Sequence, residues 1–529
     1  MVEKNVSTDA EFRAAARPIL KKHHLPVISN DRMIEAYKSL VNAGEIEVNP
    51  ELENLLRLKK VRSTSGIVVV SVLTKPYPCP GKCIFCPAET NVPKSYFSNE
   101  PAVMRAITNK YDPYTQVQSR LKALQDTGHI TDKISIRIIG GTWSYYRKNY
   151  QTWFVKRLFA AANDYNKMLN AECKVQHDGK SNYISLIELQ KENEGAKNRI
   201  VELTIETRQD YINSDEIRRL RKLGVTKVEL GVQSLYDDVL ALNKRGHNVQ
   251  STIDATQLLK DAGFKVSYQM MLNLYGSNIK RDEEMFKILF SDERFMPDHL
   301  KIYPLALVKQ SALFKIYKEG LFKPYAEIEL KELLISVKME VPYFCRIERV
   351  IRDIPSDMII AGGSRITNFR QIIAQEMKKR DIACKCIRCR EITNRLGNLE
   401  RACLFREEYA ASGGKEIYLS YESPDRTILY SMLRLRVPFK PIFKLLKNST
   451  IIREIHTYGP IVAINENNSD AIQHSGLGKK LILEAENISR VEFNKTKIAI
   501  IAGVGVRQYF SKLGYTLNST YMTKMLNRR

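Results

Sequence analysis

The sequence lacks any apolar run long enough to cross a membrane. Its 529 residues contain apolar stretches such as residues 66–73, far shorter than the roughly 20 residues that a membrane-spanning helix needs. Residues 1–16 mix acids and bases without an apolar stretch, so we expect no secretory signal. These features predict a cytoplasmic protein with no membrane partner.

Acidic residues are scarce relative to basic ones. The chain has 59 Asp and Glu against 83 Lys and Arg, which gives a net charge of +24. Such an excess is typical of proteins that bind nucleic acid, because Lys and Arg release counterions from phosphates. Basic surfaces also occur in proteins that bind no nucleic acid, so the charge favours a polyanionic partner without identifying it. With 44% hydrophobic residues, the composition excludes extensive disorder.

The nine cysteines lack the pattern of a secreted, disulfide-bonded protein. Their number is odd, and six of them lie in two tight groups: Cys79, Cys83 and Cys86, then Cys384, Cys386 and Cys389. Clustered thiols in a reducing compartment usually bind metal. The sequence therefore predicts two metal sites.

Strand-like and helical segments alternate after a basic, helical N-terminal region. The predicted strands are residues 66–73, 134–139, 200–205, 227–232, 265–271 and 299–303. The predicted helices between them are residues 102–125, 151–169, 215–223, 249–261 and 281–290. This alternation predicts an α/β fold with a parallel sheet or barrel.

The group formed by Cys79, Cys83 and Cys86 directly follows the first predicted strand. Three thiolates on one short loop can hold three irons of a 4Fe–4S cluster and leave the fourth iron open. An open iron can bind S-adenosylmethionine, whose reductive cleavage gives a 5′-deoxyadenosyl radical. A zinc site that lacks one ligand is the alternative, but structural zinc sites usually have four ligands.

This loop, placed ahead of six strand–helix units, resembles the radical SAM superfamily and its partial (β/α)6 barrel. The resemblance implies S-adenosylmethionine contacts at Gly140, Gly141 and Thr142 after the second strand, at Glu206 closing the third, and at Gln233 closing the fourth. All of these positions lie at the carboxyl ends of predicted strands, where barrel sites form. A Gly-Gly pair alone is typical of an ordinary turn. The resemblance is specific because the expected residues occur at the ends of four predicted strands.

A second glycine motif, Gln473-His474-Ser475-Gly476-Leu477-Gly478-Lys479, precedes a predicted helix. Glycines at a helix start let backbone N–H groups approach phosphate, and the helix dipole favours the anion. A simple helix cap is the alternative. Together with the strands around it, the motif resembles the GNAT acetyltransferase fold, in which this loop binds the pyrophosphate of acetyl-CoA. The same resemblance places Tyr509 and Phe510 near the thioester.

The fusion of these two parts through a basic segment resembles the family of the catalytic subunit of Elongator, which modifies the wobble uridine of tRNA. Segments that carry the resemblance include Pro93-Lys94-Ser95-Tyr96, Thr204-Ile205-Glu206-Thr207-Arg208, Glu229-Leu230-Gly231-Val232-Gln233-Ser234, Leu300-Lys301-Ile302-Tyr303-Pro304 and Arg453-Glu454-Ile455-His456. The chain departs from the family pattern at Pro87-Ala88-Glu89, at Gln209 and at Phe510.

The resemblance implies a reaction and its partners. The 5′-deoxyadenosyl radical takes a hydrogen from the methyl group of acetyl-CoA, the carbon radical adds to C5 of uridine, and thioester hydrolysis leaves 5-carboxymethyluridine. The implied partners are the anticodon stem-loop of tRNA, an electron donor, and either Elongator-type subunits or a second copy in a homodimer. Lys94 is implied as an acetyl-CoA contact. Lys301 and Tyr303 are implied to face the substrate, with plain packing as the alternative.

The group formed by Cys384, Cys386 and Cys389 resembles a zinc site of many non-eukaryotic members of that family. Three cysteines within six residues are dense enough to bind a metal. Cys403 and His456 are candidates for the fourth ligand. Their alternatives are a buried thiol and a packed strand histidine.

We therefore expect an α/β protein in four regions. These are a basic helical tRNA-binding module at residues 1–62, a radical SAM domain at 63–324, a linker with the zinc cysteines at 325–414 and a GNAT domain at 415–529. Three other functions stay open: a protein-lysine acetyltransferase, a non-catalytic tRNA-binding scaffold, and a radical SAM enzyme acting on another RNA.

Overall fold

The computed structural model of the chain describes residues 9–24, 28–57, 65–169, 184–363, 365–366, 368–392, 399–459 and 476–526. Two seven-stranded sheets organise these residues, one parallel and one mixed. None of the helices in these ranges combines the length and apolar composition required to cross a bilayer.

Three helices form a small N-terminal module. They are α1 (Asp9–Lys22), α2 (Asn30–Asn42) and α3 (Pro50–Leu56). Their buried side chains form an apolar cluster of their own. Lys38 Nζ donates to the Gln125 carbonyl (2.6 Å) and Arg57 Nε to the Gly128 carbonyl (2.8 Å). The module is thus joined to the next domain by polar contacts.

The first sheet contains every strand predicted in the first 303 residues. Its first six strands are β1 (Val68–Leu73), β2 (Lys133–Ile139), β3 (Arg199–Thr207), β4 (Lys227–Gln233), β5 (Lys265–Leu272) and β6 (His299–Pro304). They pair in that order and all in parallel. The central strand β4 is buried along its whole length and pairs with β3 on one side and β5 on the other.

Helices connect these strands. They are α4 (Pro101–Thr108), α5 (Pro113–Asp126), α6 (Lys148–Leu169), α7 (Leu186–Asn193), α8 (Ser214–Leu223), α9 (Asp237–Leu242), α10 (Val249–Asp261) and α11 (Ile279–Ser291). The single helix predicted at residues 102–125 is wrong, because α4 ends before Asn109 and a new helix begins at Pro113. Asp112 caps that new helix by accepting from the Thr115 N–H (2.9 Å).

The region predicted as a linker adds a seventh strand to the first sheet. The short β7 (Ala306–Leu307) pairs with β9 (Ala361–Gly362), while β8 (Arg346–Arg349) lies parallel to β6. The six strands predicted from the sequence are therefore all present, and the sheet has a seventh strand, β8, that was not predicted. The helix α12 (Leu313–Lys318) precedes this region, and the helices within it are α13 (Glu327–Glu340), α14 (Phe369–Lys379) and α15 (Ile387–Arg390).

The second sheet begins at Cys403, not at the predicted residue 415. Its elements are β10 (Cys403–Ala411), β11 (Gly414–Glu422), β12 (Leu429–Val437), β13 (Ser449–Thr457), α16 (Leu477–Val491), β14 (Lys497–Ile500), α17 (Arg507–Ser511), β15 (Thr516–Asn518) and β16 (Tyr521–Met525). The strands pair in the order β10-β11-β12-β13-β14-β16-β15. Only the β13–β14 pair is parallel among the described strands of this sheet.

The two sheets and their helices dock against each other directly. A Cβ built on Gly503 would lie 1.9 Å from the Val201 carbonyl oxygen, so only glycine allows the loop after β14 to approach β3. Tyr521 Oη donates to the Ala262 carbonyl (2.7 Å). One continuous apolar cluster includes residues of both sheets. The two predicted sites are therefore carried on one packed unit.

Candidate functional site

The three cysteines predicted to hold an iron–sulfur cluster lie on the loop after β1. Cys83 is buried, while Cys79 and Cys86 are partly exposed. The Gly81 N–H donates to Cys79 Sγ (3.4 Å), and the Cys86 thiol is hydrogen-bonded to the Ser95 hydroxyl (2.9 Å). Polar groups therefore already face two of the three sulfurs.

Two arginines from other loops lie against this cysteine loop. Arg245 Nη1 donates to Cys83 Sγ (3.2 Å), and a Cβ built on Gly81 would lie 2.7 Å from Arg208 Nη1. A hydrogen bond from Cys86 and the charges of the two arginines lower the pKa of Cys83 to about 5, although its burial acts in the opposite direction. Thiolate ligands fit such a loop because the nearby cations offset their negative charge.

A half-buried histidine completes the network behind the loop. Arg208 Nη1 donates to the Arg245 carbonyl (2.7 Å), and Arg245 Nε donates to His247 Nε2 (3.1 Å). Burial and the two neighbouring arginines lower the pKa of His247 to about 3, so the ring is neutral at pH 7. Neither Arg245 nor His247 was predicted as a site residue, because neither lies at a strand end.

The predicted glycine pair lies at the end of β2, beside the end of β1. Gly140 and Gly141 have positive φ values of 122° and 114°. A Cβ on Gly140 would lie 2.3 Å from Thr74 Oγ1, whereas a Cβ on Gly141 would meet no atom within 4 Å. Gly140 is therefore required for backbone packing, and Gly141 leaves open space. Thr142, the third predicted residue, is buried.

Glu206 and Gln233 lie at the same edge of the sheet. Glu206, near the end of β3, accepts hydrogen bonds from Tyr96 Oη (3.1 Å) and from the Gln269 side chain. Gln233 ends β4 with a positive φ of 71°, an uncommon conformation for a residue other than glycine. A Cβ on Gly231 would approach both Gln233 Nε2 (3.1 Å) and Arg245 Nη2 (3.0 Å). The structure thus brings the strand-end residues and the cysteine loop to one edge.

Lys301 of β6 is part of a buried ion cluster that joins several strands of the sheet. Its ammonium group donates to Glu229, and Arg137 Nη2 donates to the same carboxylate (3.2 Å). Both Lys301 and Glu229 are about 1% exposed. Tyr303 follows on the same face of β6, and burial raises its pKa to about 12. For Lys301 this placement favours a structural role, which was the alternative to contact with substrate.

The second predicted site lies at the start of α16. Gly476 precedes the helix with a positive φ of 76°, and Leu477 is buried under it. A Cβ on Gly478 would lie 3.6 Å from Tyr509 Oη and 3.5 Å from Thr457 Oγ1. The tyrosine is 44% exposed, and burial of its hydroxyl raises its pKa, so the hydroxyl keeps its proton. The helix start and a hydroxyl donor therefore lie side by side.

Several predicted acetyl-CoA residues are placed differently or not at all. Gln473, His474 and Ser475 lie outside the described residues. Lys479 is exposed on the first turn of α16. Phe510 is 3% exposed and packs in the core of the second sheet, with its ring 5.2 Å from that of Tyr509.

Lys94 lies beside the cysteine loop. It is partly buried, and the next residue, Ser95, contacts Cys86 and accepts a hydrogen bond from Arg352. Its predicted contact with acetyl-CoA stays a prediction.

The second cysteine group surrounds the short helix α15. The ligand atoms of Cys384, Cys386 and Cys389 lie within 4.8 Å of one another, and no other such group occurs in the part of the chain that the structure describes. A tetrahedral zinc with bonds of about 2.3 Å places its sulfur ligands roughly 3.8 Å apart. Lys338 Nζ lies 3.7 Å from Cys389 Sγ. The three thiols therefore fit a zinc ion.

Neither predicted fourth ligand belongs to this group. Cys403 is exposed at the start of β10, where its thiol donates to the Arg401 carbonyl (3.6 Å). His456 Nε2 donates to the Ser65 carbonyl (2.6 Å), and its ring stacks on Tyr458 (4.3 Å). Burial lowers the pKa of His456. Within the described residues, His456 therefore contacts Ser65 and Tyr458 and not the three cysteines. This agrees with the alternative, a packed strand histidine.

Comparison with known proteins covers almost the whole chain. The profile of the radical SAM superfamily matches residues 77–289, and that of the radical SAM C-terminal domain matches residues 297–379. The chain is 44% identical to tRNA uridine(34) acetyltransferase from Methanocaldococcus infernus, covering 89% of this chain and 88% of that protein. It is 36% identical to human Elongator complex protein 3, covering 89% and 86%.

A solved structure agrees with these sequence matches. The archaeal Methanocaldococcus infernus Elp3 with an N-terminal deletion superposes with a TM-score of 0.74 at 40% identity, covering 87% of this chain and all of that one. The superposed part, 87% of this chain, therefore includes most of its described residues.

Proposed function

The chain belongs to the family of the tRNA uridine(34) acetyltransferases and Elongator complex protein 3, and we propose that it is itself a tRNA uridine(34) acetyltransferase. In this proposal it is a radical SAM enzyme that attaches a carboxymethyl group, derived from acetyl-CoA, to C5 of the wobble uridine. The supporting relatives are matched over nearly nine tenths of this chain.

One observation carries the proposal. A cysteine loop backed by arginines and a glycine-led helix start beside Tyr509 occur in one chain, on two sheets that dock through buried contacts. A protein-lysine acetyltransferase would need only the second arrangement. A tRNA-binding scaffold would need neither.

The first arrangement supplies the radical half of the reaction. Cys79, Cys83 and Cys86 would hold a 4Fe–4S cluster, which together with S-adenosylmethionine supplies a 5′-deoxyadenosyl radical. Arg245 holds the Cys83 sulfur through its hydrogen bond. The open space at Gly141 leaves room for the methionine part, and Glu206, fixed by Tyr96, offers a carboxylate at the same edge.

The second arrangement would bind acetyl-CoA in a GNAT-type domain. The N–H groups of the first turn of α16 suit the pyrophosphate, because the helix dipole adds positive potential there. Gly478 has no side chain to fill the space between that helix start and Tyr509. The protonated Tyr509 hydroxyl can then donate a hydrogen bond to the ligand.

The remaining assignments complete the proposal. Cys384, Cys386 and Cys389 would bind a structural zinc, and the N-terminal module would add to the tRNA-binding surface. The reduced thiol clusters suit a cytoplasmic protein. The electron donor and either Elongator-type subunits or a second copy of the chain would be its protein partners.

Acetyl-CoA hydrolysis by the purified protein, with and without bulk tRNA, tests the proposal. We expect tRNA to stimulate hydrolysis, and a Gly476→Val/Gly478→Val variant to lose it. After anaerobic reconstitution, mass spectrometry of digested tRNA should reveal carboxymethyluridine. A Cys79→Ala/Cys83→Ala/Cys86→Ala variant should make none. Hydrolysis that ignores tRNA, combined with acetylation of lysine-rich proteins, would replace this proposal with a protein acetyltransferase.

A further inference from the structure

A row of aromatic rings begins two residues before Cys79 and leads away from the cysteine loop. The rings of Tyr77 and Tyr146 stack with centroids 4.6 Å apart and planes 25° apart, and those of Tyr146 and Tyr150 stack at 5.2 Å and 23°. Trp153 extends the row, 5.6 Å from Tyr150. Tyr145 packs edge-on against Tyr77 at 5.9 Å. We call these five residues the aromatic row.

The inner rings of the aromatic row are fixed to the sheet edge. Tyr146 Oη is hydrogen-bonded to Thr74 Oγ1 (2.8 Å) and donates to the Lys75 carbonyl (2.9 Å). Tyr150 Oη accepts from the Lys75 N–H (3.1 Å). These bonds tie Tyr146, and Tyr150 of α6, to the segment that follows β1. The inner rings are therefore needed for packing and hold the others in place.

The outer members of the row stay partly exposed, although Tyr145 also packs edge-on against Tyr211 at 5.8 Å and Trp153 against Phe154 at 6.4 Å. Tyr145 is 40% exposed and Trp153 is 37% exposed. The surface around them is basic: Lys75 lies 5.0 Å from the Tyr150 ring centroid, and Arg147 and Lys148 are exposed between Tyr145 and Trp153. Glu216 is an acidic side chain whose charge acts on Lys148, and it is half-buried beside Ser144, where burial raises its pKa. Asp112 and Asp210 are engaged with arginines, Asp112 with Arg157 and Asp210 with Arg208.

Exposed aromatic rings interleaved with cations suit one kind of ligand. Unpaired bases stack on such rings while the cations neutralise their phosphates. The inner rings hold the outer rings in position before the ligand binds. A duplex offers no free base faces along its length. A protein partner would gain little from the exposed cations of this basic chain unless it were acidic.

We propose that the aromatic row is a stacking platform for unpaired nucleotides of an RNA loop, next to the cysteine loop. The proposal rests on the proposed function, because it gives the tRNA anticodon loop as the natural occupant. It adds the surface that would receive the loop: Tyr145 and Trp153 stack on bases, and Lys75, Arg147 and Lys148 contact phosphates. The target uridine would then be presented at the edge where Cys79 and Gly141 lie.

The tryptophan content makes this platform directly observable. The chain has two tryptophans, and Trp143 is 1% exposed, so Trp153 is the one available for stacking with a ligand. The probe is an RNA hairpin with an unpaired loop, titrated while tryptophan emission is recorded. We expect quenching with the hairpin but none with the same RNA annealed to its full complement. The quenching should disappear in Trp153→Phe.

Affinities separate stacking from charge. Removing a stacked base contact weakens binding about 5- to 150-fold, so Tyr145→Ala/Trp153→Ala should weaken hairpin binding at least about 5-fold. Trp153→Phe keeps a ring and should retain most of the affinity. Phe439→Ala, which removes an exposed aromatic from the loop after β12, is the matched control and should change nothing. Lys75→Ala should reduce the salt dependence of binding.

The outcomes also separate this proposal from the proposed function. Unchanged hairpin affinity in Tyr145→Ala/Trp153→Ala, no quenching on binding, or equal quenching by heparin would each overturn the platform. If tRNA still stimulated acetyl-CoA hydrolysis in that variant as in the natural protein, the proposed function would stand and the platform would fall. Quenching by the hairpin without any tRNA-stimulated hydrolysis would support the platform and count against the proposed function.

Discussion

Asp298, which directly precedes β6, forms a buried two-point ion pair with Arg453 of β13. Arg453 Nη1 lies 2.8 Å from Asp298 Oδ2, and Nη2 lies 2.5 Å from Oδ1. Both side chains are fully buried. Lys260 and Glu416 lie beside the pair and are also buried. The first and second sheets are therefore joined by a charged cluster, in addition to their apolar contacts.

Replacing Asp298 by Asn should destabilise the protein strongly. The substitution keeps the size of the side chain but leaves Arg453 and its cationic neighbours with less compensating charge in a buried site. Breaking a buried pair in this way costs about 3–5 kcal/mol. Urea unfolding at pH 7 should register the loss as a lower midpoint. Glu332→Gln breaks the exposed pair with Arg380 and is the control, expected to cost about 0–1 kcal/mol. Equal effects of both variants would contradict a joining role for Asp298.

Gly478→Ala should separate ligand binding from stability. The added Cβ would make ordinary contacts with Thr457, Ile455 and Tyr509, and Ala suits a helix, so the melting temperature should be unchanged or slightly raised. The same methyl group would fill the space beside Tyr509, so we expect the Kd for acetyl-CoA, measured by calorimetry, to rise about tenfold, a cost of about 1.4 kcal/mol.

Leu483→Ala is the control for that experiment, because Leu483 is exposed further along α16. It should leave acetyl-CoA affinity unchanged. If Gly478→Ala bound acetyl-CoA as tightly as the natural protein, the ligand would not lie at the start of this helix.

Metal analysis should distinguish the two cysteine groups. Zinc prefers four thiolate or imidazole ligands, and iron–sulfur clusters are held by cysteines on an open loop. We expect Cys384→Ser/Cys386→Ser/Cys389→Ser to lose zinc and keep iron after reconstitution. We expect Cys79→Ala/Cys83→Ala/Cys86→Ala to lose iron and keep zinc. Mass spectrometry of the metals in both proteins checks this, and zinc retained by the first variant would rule out the assignment.

Buried strands could be predicted from the sequence where runs of apolar residues mark them. The segments at β1 to β6 each contain two or more Val, Ile or Leu residues, and all six strands appear where expected. The strand β8, Arg346–Arg349, is mostly charged and was missed. Its charges are accommodated by partners distant in sequence: Glu391 pairs with Arg346, and Lys227 with Glu348. The strand β10 alternates exposed and half-buried residues at a sheet edge, so its pattern is weak as well.

The candidate site divides in the same way. Cys79, Gly140, Glu206 and Gln233 could be predicted because parallel strands bring their carboxyl ends to one edge. Arg245 could not, because a loop after α9 brings it to Cys83 only through the tertiary fold. Phe510 was predicted from its place next to Tyr509, but neighbouring residues on a short helix face different ways, and Phe510 faces the core.

His247 should make the stability of the protein depend on pH. Its pKa is about 3 in the folded protein, lowered by burial and by Arg245 and Arg208, and about 6.5 in an unfolded chain. Between these values the unfolded state binds a proton that the folded state does not. The contribution of His247 to the free energy of unfolding is therefore complete above about pH 6.5. It is lost as the pH falls, by up to about 1.4 kcal/mol per pH unit.

Replacing His247 by Gln removes this proton-binding group. At pH 7.5 the variant should be less stable than the natural protein, because Arg245 Nε loses its ring acceptor at 3.1 Å. As the pH is lowered from 6.5 to 5, the difference in free energy of unfolding between the two proteins should narrow. Only the natural protein is destabilised by protonation of this histidine in the unfolded state. Urea unfolding of the metal-free proteins at four pH values measures the gap. His24→Gln, in an exposed residue after α1, is the control. A gap that stays constant with pH would mean that His247 takes up its proton equally in the folded and unfolded states, and that the two arginines do not hold the ring neutral.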